Sequence, residues 1–314
     1  MKKGLLKKSL KFILNKNYRF LILANKGKYD SMTDEEFLKK KYQATFGIPL
    51  DIKNPLTFNQ KLQWLKLYDR NPMYTVLVDK YKVRQYIIDA IGEEYLIPLI
   101  GVWDDPSEID FSSLPNKFVL KCNHNSGLGM CICKDKSSLD IEKVKNNLKL
   151  GLKQNYYLTG REWPYKNVPR KIIAEKYMSE NEEDSYGNDE LKDYKFYCFD
   201  GVMKFVMINS DRNSDKPTKA DYFDRNYNWL NFIWGYHHAD VLPDKPNNFE
   251  KMISIAEKLS KGIPHVRVDL YDCDGKIYFG ELTFFDGSGF DKIEPIEWDY
   301  KIGDMLNLPK KRGN

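Results

Sequence analysis

Residues His265-Val-Arg267-Val-Asp269-Leu-Tyr271 and, after a short turn, Lys276-Ile-Tyr-Phe-Gly280-Glu281-Leu-Thr283 read as the two strands of a β-hairpin. Side chains two apart on a strand share a face, so Arg267 lies with Asp269 and Glu281 with Thr283. Charge embedded in such apolar sequence needs a partner. The turn decides whether the two polar faces coincide. A two-residue turn at Asp274-Gly275 pairs Asp269 with Gly280 and sends Glu281 to the opposite face. A three-residue turn, Cys273-Asp274-Gly275, pairs Arg267 with Glu281 and Asp269 with Phe279, so that every charge converges. The second turn, ending in a left-handed glycine, is the one expected here. Converged, Asp269 and Glu281 make a carboxylate pair suited to Mg²⁺ with a phosphate completing its coordination, and Arg267 is placed to hold developing negative charge. The plainer account of the same residues is a surface salt bridge between Arg267 and Glu281. A rival takes Asp272-Cys273-Asp274 as the D-x-D metal motif of glycosyltransferases, but turns favour Asp and Gly for local backbone reasons.

Two further segments carry chemistry. Lys121 ends the apolar strand Phe118–Cys122 and leads into Asn123-His-Asn125-Ser126-Gly127-Leu-Gly129, a loop whose amides and neighbouring ammonium suit a phosphate. His124 reads more simply as a loop hydrogen-bonder than as a base. Ile172-Ile-Ala-Glu175-Lys176-Tyr177-Met178 is a strand that either runs out into solvent or forms a hinge whose backbone reads an adenine edge.

The rest of the chain frames these segments. Thr33-x-x-Glu36 is a capping signal, and helices are expected over 60–69, 79–90, 140–154 and 249–261. Strands are expected over 95–99, 118–122, 130–133, 171–178, 193–199, 202–208, 266–271 and 276–283, with 209–240 irregular and aromatic. Asp200-Gly201 is a two-residue hairpin turn. The pattern predicts an α+β chain of mostly antiparallel hairpins rather than a regular βαβ alternation. No G-x-G-x-x-G after an early strand and no Walker A sequence occur, which disfavours nicotinamide and P-loop enzymes. The 314 residues suggest about two domains. Net charge is only +5, which does not point to nucleic acid. Five scattered cysteines, Cys131-x-Cys133 among them, argue against a disulfide framework and fit a reducing cytoplasm. No apolar stretch is long enough to span a bilayer and no secretory signal is visible. The first twenty residues differ: Lys3, Lys7 and Lys11 recur opposite Leu6, Leu10, Ile13 and Leu14, as in a basic amphipathic helix. Such a helix either docks on the body through its apolar face or attaches to an anionic membrane surface.

Taken in order, Asp79-Lys80, Lys121 with its glycine loop, Glu175-Lys-Tyr-Met178, Asp193, Arg267-x-Asp269 and Glu281-x-Thr283 resemble the ATP-grasp superfamily, and more closely its TupA-like branch of bacterial surface-polysaccharide clusters. The stretches that carry the resemblance are Asn54-Pro-Leu-Thr-Phe-Asn-Gln-Lys61, Asp79-Lys-Tyr-Lys-Val-Arg84, Lys117-Phe-Val-Leu-Lys121-Cys-Asn-His124, Arg161-Glu-Trp163, Asp193-Tyr-Lys-Phe196, Arg267-Val-Asp-Leu-Tyr271 and Gly280-Glu-Leu-Thr-Phe284. The resemblance implies two α+β lobes (79–175 with the phosphate loop, 176–314 with the metal site), preceded by a basic helix (1–30) and a helical region (31–78), with ATP between the lobes. It implies phosphate-contacting lysines at Lys80 and Lys121 and a mobile loop over Asn125, Ser126, Gly127 and Gly129. Glu175, Lys176, Tyr177 and Met178 become the adenine hinge, Lys176 and Met178 through their backbone, and Asp193 the ribose acceptor. Asp269, Glu281 and Thr283 become the Mg²⁺ positions, and Arg267, with Lys121, the catalytic cations. Thr283 stands where the wider superfamily usually has Asn, which puts a second Mg²⁺ in question. Lys204, Lys216 and Lys219 are unranked candidates for a γ-phosphate lysine. The resemblance also implies an ADP-forming ligase joining an amine or amino acid to a sugar carboxylate through an acyl phosphate. Gly287-Ser288-Gly289 is the expected acceptor contact, and the Tyr222–Trp234 aromatics are either a sugar platform or plain packing. A glycosyltransferase and a sugar kinase are the alternatives. A cytoplasmic place, at the inner membrane face if the substrate is lipid-linked, goes with this reading.

Overall fold

In the computed structural model the described residues are 2–178, 192–210, 217–273 and 275–311, with side chains from residue 8 onward. Ten α-helices occur among them: α1 Lys2–Leu14, α2 Lys16–Ala24, α3 Asp34–Phe46, α4 Phe58–Tyr68, α5 Met73–Leu77, α6 Val83–Ala90, α7 Ile141–Lys153, α8 Tyr157–Gly160, α9 Phe249–Ser260 and α10 Glu297–Met305. The strands that matter below are β1 Leu99–Trp103, β2 Phe118–Cys122, β3 Met130–Cys133, β4 Ile172–Lys176, β5 Lys192–Phe199, β6 Val202–Ser210, β7 Lys219–Asp224, β8 Trp229–Leu230, β9 His265–Cys273 and β10 Lys276–Thr283.

The chain divides into two compact units. One comprises residues 1–71, 155–163 and 285–314, and the other 72–154 and 164–284. The expected segments 79–175 and 176–314 both fall mainly in the second. That unit holds two antiparallel sheets, a four-stranded one in the order β1-β4-β2-β3 and a six-stranded one in the order β10-β9-β5-β6-β7-β8.

The six-stranded sheet is oily on the face against α9 and carries charge on the other, beside the buried aromatics Tyr197, Phe205 and Tyr222. On the oily face Phe196 of β5 meets Phe249 of α9, ring centres 6.0 Å apart, and Met252, Ile253, Ala256 and Leu259 of α9 are buried. On the other face Asp269 stands beside Lys195 and Arg267 beside Tyr197, because those residues are cross-strand partners. The hairpin that closes the sheet differs from the sequence expectation. Cys273 pairs Lys276, which is the two-residue turn, and Arg267 faces Thr283 rather than Glu281. The charges converge all the same, through a β-bulge. Asp269 pairs Glu281 while Leu270 pairs Phe279, so Gly280 is the extra residue. The bulge lets Phe279 bury itself on one side and Glu281 join the charged face on the other, although the two are only two apart in sequence. A Cβ on Gly280 would lie 3.0 Å from Asp269 O and from the Tyr271 ring.

Several local expectations shift for identifiable reasons. Over 95–99 a short 3₁₀ turn, Glu93–Tyr95, precedes a strand that starts only at Leu99, after Pro98, which has no N–H to pair. The helix expected from 79 starts at Val83, because Asp79 Oδ1 takes the Tyr81 and Lys82 N–H groups into a local turn. The helix expected from 60 starts at Phe58, capped by Thr57 and Gln60. The N-terminal helix is two helices, broken at Asn15, whose side chain caps α2 through Tyr18 N at 2.9 Å. The 209–240 segment, expected to be irregular, contributes β7 and β8. Of its aromatics Tyr222, Phe232 and Trp234 are buried, with Tyr222 stacked on Phe232 at 4.2 Å, so packing accounts for these three, while Trp229 is 40% exposed. The turn at Asp200-Gly201 is as expected, both residues at positive φ.

Two outcomes test this account. Gly280→Val should lower stability by about 1–3 kcal/mol, the usual cost of overpacking, read as a lower urea midpoint at unchanged slope. His265 is buried against Phe199, shares a hydrogen bond with Cys198 O at 3.0 Å, and is pushed down to about 3 by burial. Its folded form stays neutral while the unfolded chain takes up a proton below about pH 6.5, so stability falls on acidification across that window by about 1.4 kcal/mol per pH unit. His265→Gln should flatten this slope in urea titrations between pH 6.5 and 4.5. An unchanged slope would contradict the assignment.

Candidate functional site

The charged face of the six-stranded sheet carries three carboxylates and two cations on β5, β9 and β10. Arg267 grips Asp269 with two bonds, Nε to Oδ1 and Nη2 to Oδ2, both 2.7 Å. Lys195 Nζ lies 2.8 Å from Asp269 Oδ2 and also bonds Asp193. Arg267 Nη2 reaches Glu281 Oε1 at 3.3 Å, and the Thr283 hydroxyl donates to the same oxygen at 3.1 Å. Glu281 Oε2 faces Lys80 Nζ at 3.8 Å. Asp269 is nearly sealed from solvent, which by itself would raise its pKa, yet Arg267 and then Lys195 hold it below the usual carboxylate range. Lys80 is lowered by burial, with Glu281 opposing that fall.

Lys80 is fixed from below. It sits in the turn before α6, where its N–H donates to Asn123 O at 3.1 Å and Asn123 Nδ2 donates to Asp79 Oδ1 at 2.7 Å. Its ammonium bonds Asn125 O at 2.8 Å, which ties the lysine to the glycine loop after β2. That loop is anchored at both ends and open at its tip. Asn125 is buried and donates to Gln154 Oε1 at 3.0 Å, Ser126 to Leu128 are exposed, and Gly129 is buried again. Gly129, at φ +73°, packs back to back with Gly151 of α7, where a Cβ on either would come within about 2.8 Å of the other's Cα. His124 is the loop hydrogen-bonder expected, its Nε2 3.1 Å from Gln154 O.

On the four-stranded sheet Lys121 Nζ pairs with Glu175 Oε2 at 2.6 Å, and Arg84 Nη1 approaches Glu175 Oε1 at 3.6 Å. Glu175 is buried, Lys176 is exposed, and the Lys176 N–H donates to Pro98 O at 2.9 Å.

The expected residues thus gather in part. Lys80, Asp269, Arg267, Glu281 and Thr283 come together on one face, and Lys121 joins Glu175. Asp193 lies on the same face, its carboxylate taken up by Lys195. Sequence reading missed Lys195, Arg84 and Gly151. The alternation Asp193-x-Lys195 opposite Arg267-x-Asp269 could have found the first. Of the unranked lysines, Lys204 is exposed on β6, Lys219 opens β7, and Lys216 lies outside the described residues. Asp272 serves its turn, accepting from Gly275 N and from Asn248 Nδ2 at 3.0 Å each, which removes the support for a D-x-D reading, and Asp274 lies outside the described residues.

Among the described residues no group of three or more His, Cys, Asp and Glu side chains is set to hold a metal. What the sheet offers a cation is the Asp269–Glu281 cross-strand pair. Its chemistry suits Mg²⁺, which takes one or two carboxylates plus phosphate oxygens rather than an all-protein cage, with Asp269 exchanging a bond to Arg267 or Lys195 for the metal.

The other unit has its own buried polar cluster. Lys66 of α4, fully buried, donates to Gly160 O at 2.8 Å, to Ser288 O at 2.7 Å and Oγ at 3.0 Å, and to Gln63 Oε1 at 3.1 Å. Gln63 Nε2 donates to Gly289 O at 2.8 Å. Gly287, Ser288 and Gly289 all lie at positive φ, and these bonds hold that turn in place. Glu162 is buried nearby, its pKa raised by desolvation against the pull of Lys66.

Comparison with known proteins places this geometry. The family model described as TupA-like ATPgrasp matches residues 60–307, about four-fifths of the chain. A lipoteichoic acid synthase from Staphylococcus saprophyticus is 29% identical over 104 residues, which is 32% of this chain and only 15% of that protein. A D-alanine–D-alanine ligase from Bacillus anthracis superposes with a TM-score of 0.37 at 18% identity, over 68% of this chain and 59% of that one. The ATP-grasp ligase PsnB with its minimal precursor gives 0.39 at 11% identity, over 79% and 66%. With the match extending from α4 to just past α10, the chain belongs to the TupA-like ATP-grasp family.

Proposed function

We propose that this protein is an ATP- and Mg²⁺-dependent ligase that activates a uronic-acid carboxylate of a bacterial surface polysaccharide, or of its precursor, as an acyl phosphate and passes it to an amine or amino acid. The observation that carries the reading is the convergence of Lys80, Lys195 and Arg267 around the Asp269–Glu281 pair. Such a set has two uses for a triphosphate: Asp269 and Glu281 would hold the metal that accompanies it, and the cations neutralise the charge that remains. Bound Mg²⁺ would supply charge neutralisation at the transferring phosphoryl group.

The chain's own residues divide the rest of the work. Arg267, pre-aimed by its two bonds to Asp269, meets charge as it develops in transfer without having to reorganise. Lys80 joins the metal pair to the glycine loop through Asn125 O, so that closure of Ser126–Leu128 over the phosphates and alignment of the lysine are one event. Closure would also shield an acyl phosphate from water. Lys121 contacts the phosphates in place of Glu175, Lys176 and Met178 read the adenine edge through their backbone atoms, and Asp193 serves the ribose side. Gly287-Ser288-Gly289, which follows Thr283 closely in the chain, is the acceptor contact. Thr283 supports Glu281 rather than a second metal. The family match supports the ATP chemistry, and a curated relative named for lipoteichoic acid synthesis is in keeping with a surface-polymer acceptor.

Thermal-shift measurements with Mg²⁺ should give stabilisation by ATP and not by UDP-sugars, lost in Glu281→Ala. A UDP-sugar response without an ATP response would replace the ligase by a glycosyltransferase. Arg267→Lys, which keeps a charge beside Asp269, should retain the ATP shift and lose about 10²–10³-fold in kcat, the magnitude seen when a pre-aimed charge stabiliser is removed. ADP release by the wild type should require both a sugar carboxylate and an amine; release with sugar alone would identify a kinase.

A further inference from the structure

Residues 1–29 contain nine lysines and arginines and no acidic residue, whereas the whole chain carries a net +5. The remaining residues are therefore net negative by four, and all of the protein's excess positive charge sits on the α1–α2 segment. That segment is built rather than loose. Arg19 of α2 caps the end of α1, donating to Ile13 O at 2.7 Å and Phe12 O at 3.3 Å. The Lys11 ammonium lies 4.7 Å from the centre of the Tyr18 ring. Phe20 fastens α2 to its own unit, stacking on Tyr29 at 4.7 Å and meeting Phe37 of α3 at 6.2 Å.

The described part of the apolar face of α1 is left open in this arrangement. Leu10, Ile13 and Leu14, at i, i+3 and i+4, share one side of the helix and are 58%, 66% and 74% exposed. These three described side chains therefore do not dock on the body. Lys8 and Lys11 are exposed on the same helix. Among the described residues no helix is long and apolar enough to cross a membrane.

We propose that α1 is a docking surface for an anionic lipid bilayer, lying in the headgroup interface with Leu10, Ile13 and Leu14 inserted and the lysines on lipid phosphates. Both halves of the surface are needed by this partner. A second copy of the chain would bring an equally basic segment against this one, and a nucleic acid has no use for three exposed aliphatic side chains. An anionic membrane supplies apolar depth and negative charge together. The inference does not depend on the reaction proposed above.

Flotation of the full chain with phosphatidylglycerol-containing and with phosphatidylcholine vesicles tests it, using wild type, a Leu10→Ser/Ile13→Ser/Leu14→Ser variant and a Lys8→Gln/Lys11→Gln variant. The wild type should float with the anionic vesicles only, weakening as salt is raised, and the triple variant should partition about tenfold or more less. The lysine variant should be weakened on anionic vesicles as well. Both variants should keep the wild-type melting temperature and ATP response, which separates lost docking from lost folding. Equal flotation of wild type and triple variant, no flotation with either lipid, or flotation indifferent to lipid charge would each overturn the proposal. So would concentration-dependent self-association in sedimentation that the triple variant abolishes, which would assign the face to a second copy.

Discussion

The ion network of Asp269 with Arg267 and Lys195 is the constraint on which the larger unit depends. A carboxylate so buried costs several kcal/mol unless its charge is met, and breaking one partner of such a network typically costs about 3–5 kcal/mol. Asp269 is met on two strands at once, by Arg267 along its own strand and by Lys195 across from it on β5. The register of β5 on β9 is therefore fixed by charge as well as by the Phe196–Phe249 packing on the reverse face. A one-residue slip would put Lys195 among the α9 side chains and leave Asp269 unpaired.

The Gly280 bulge follows from the same demand. Regular pairing would force Phe279 and Glu281 onto one face, leaving either a phenyl ring among the charges or a carboxylate in the core. One extra residue resolves the conflict and gives the carboxylate pair its cross-strand geometry. Stability and site here have a single cause: the cations that make Asp269 affordable to bury are those that a triphosphate would meet.

The first unit uses its family-like residues as scaffold. The Asn54–Lys61 stretch that resembles the family is structural: Gln60 completes the cap of α4, Asn59 bonds Asp299 on α10, and Lys61 bonds Gly303 O and Leu306 O at the end of that helix. Lys66 and Gln63, one turn further along, hold the Gly287–Gly289 turn in its left-handed conformation. A motif can mark a family through the scaffold that shapes a loop as well as through the residues that meet a ligand.

Sequence alone determined the strands of the last hairpin, the Asp200-Gly201 turn, the Thr33–Glu36 cap, the antiparallel α+β class and the charged strand residues Arg267, Asp269 and Glu281. These depend on local chemistry: alternation, turn residues, caps and charge placed in apolar strands. Only tertiary structure decided how the charges meet. The converged face was expected from a three-residue turn and arises from a two-residue turn with a bulge, because burial of Phe279, a long-range fact, selects the register. Lys195 entered the site because β5 lies beside β9, a pairing across some seventy residues that no local pattern encodes. Gly151 matters only because α7 brings it against Gly129, and the exposure of Leu10, Ile13 and Leu14 is read only from the packed chain. Chemistry with a short reach is written along the chain, and chemistry that needs two distant strands or helices is decided when they pack.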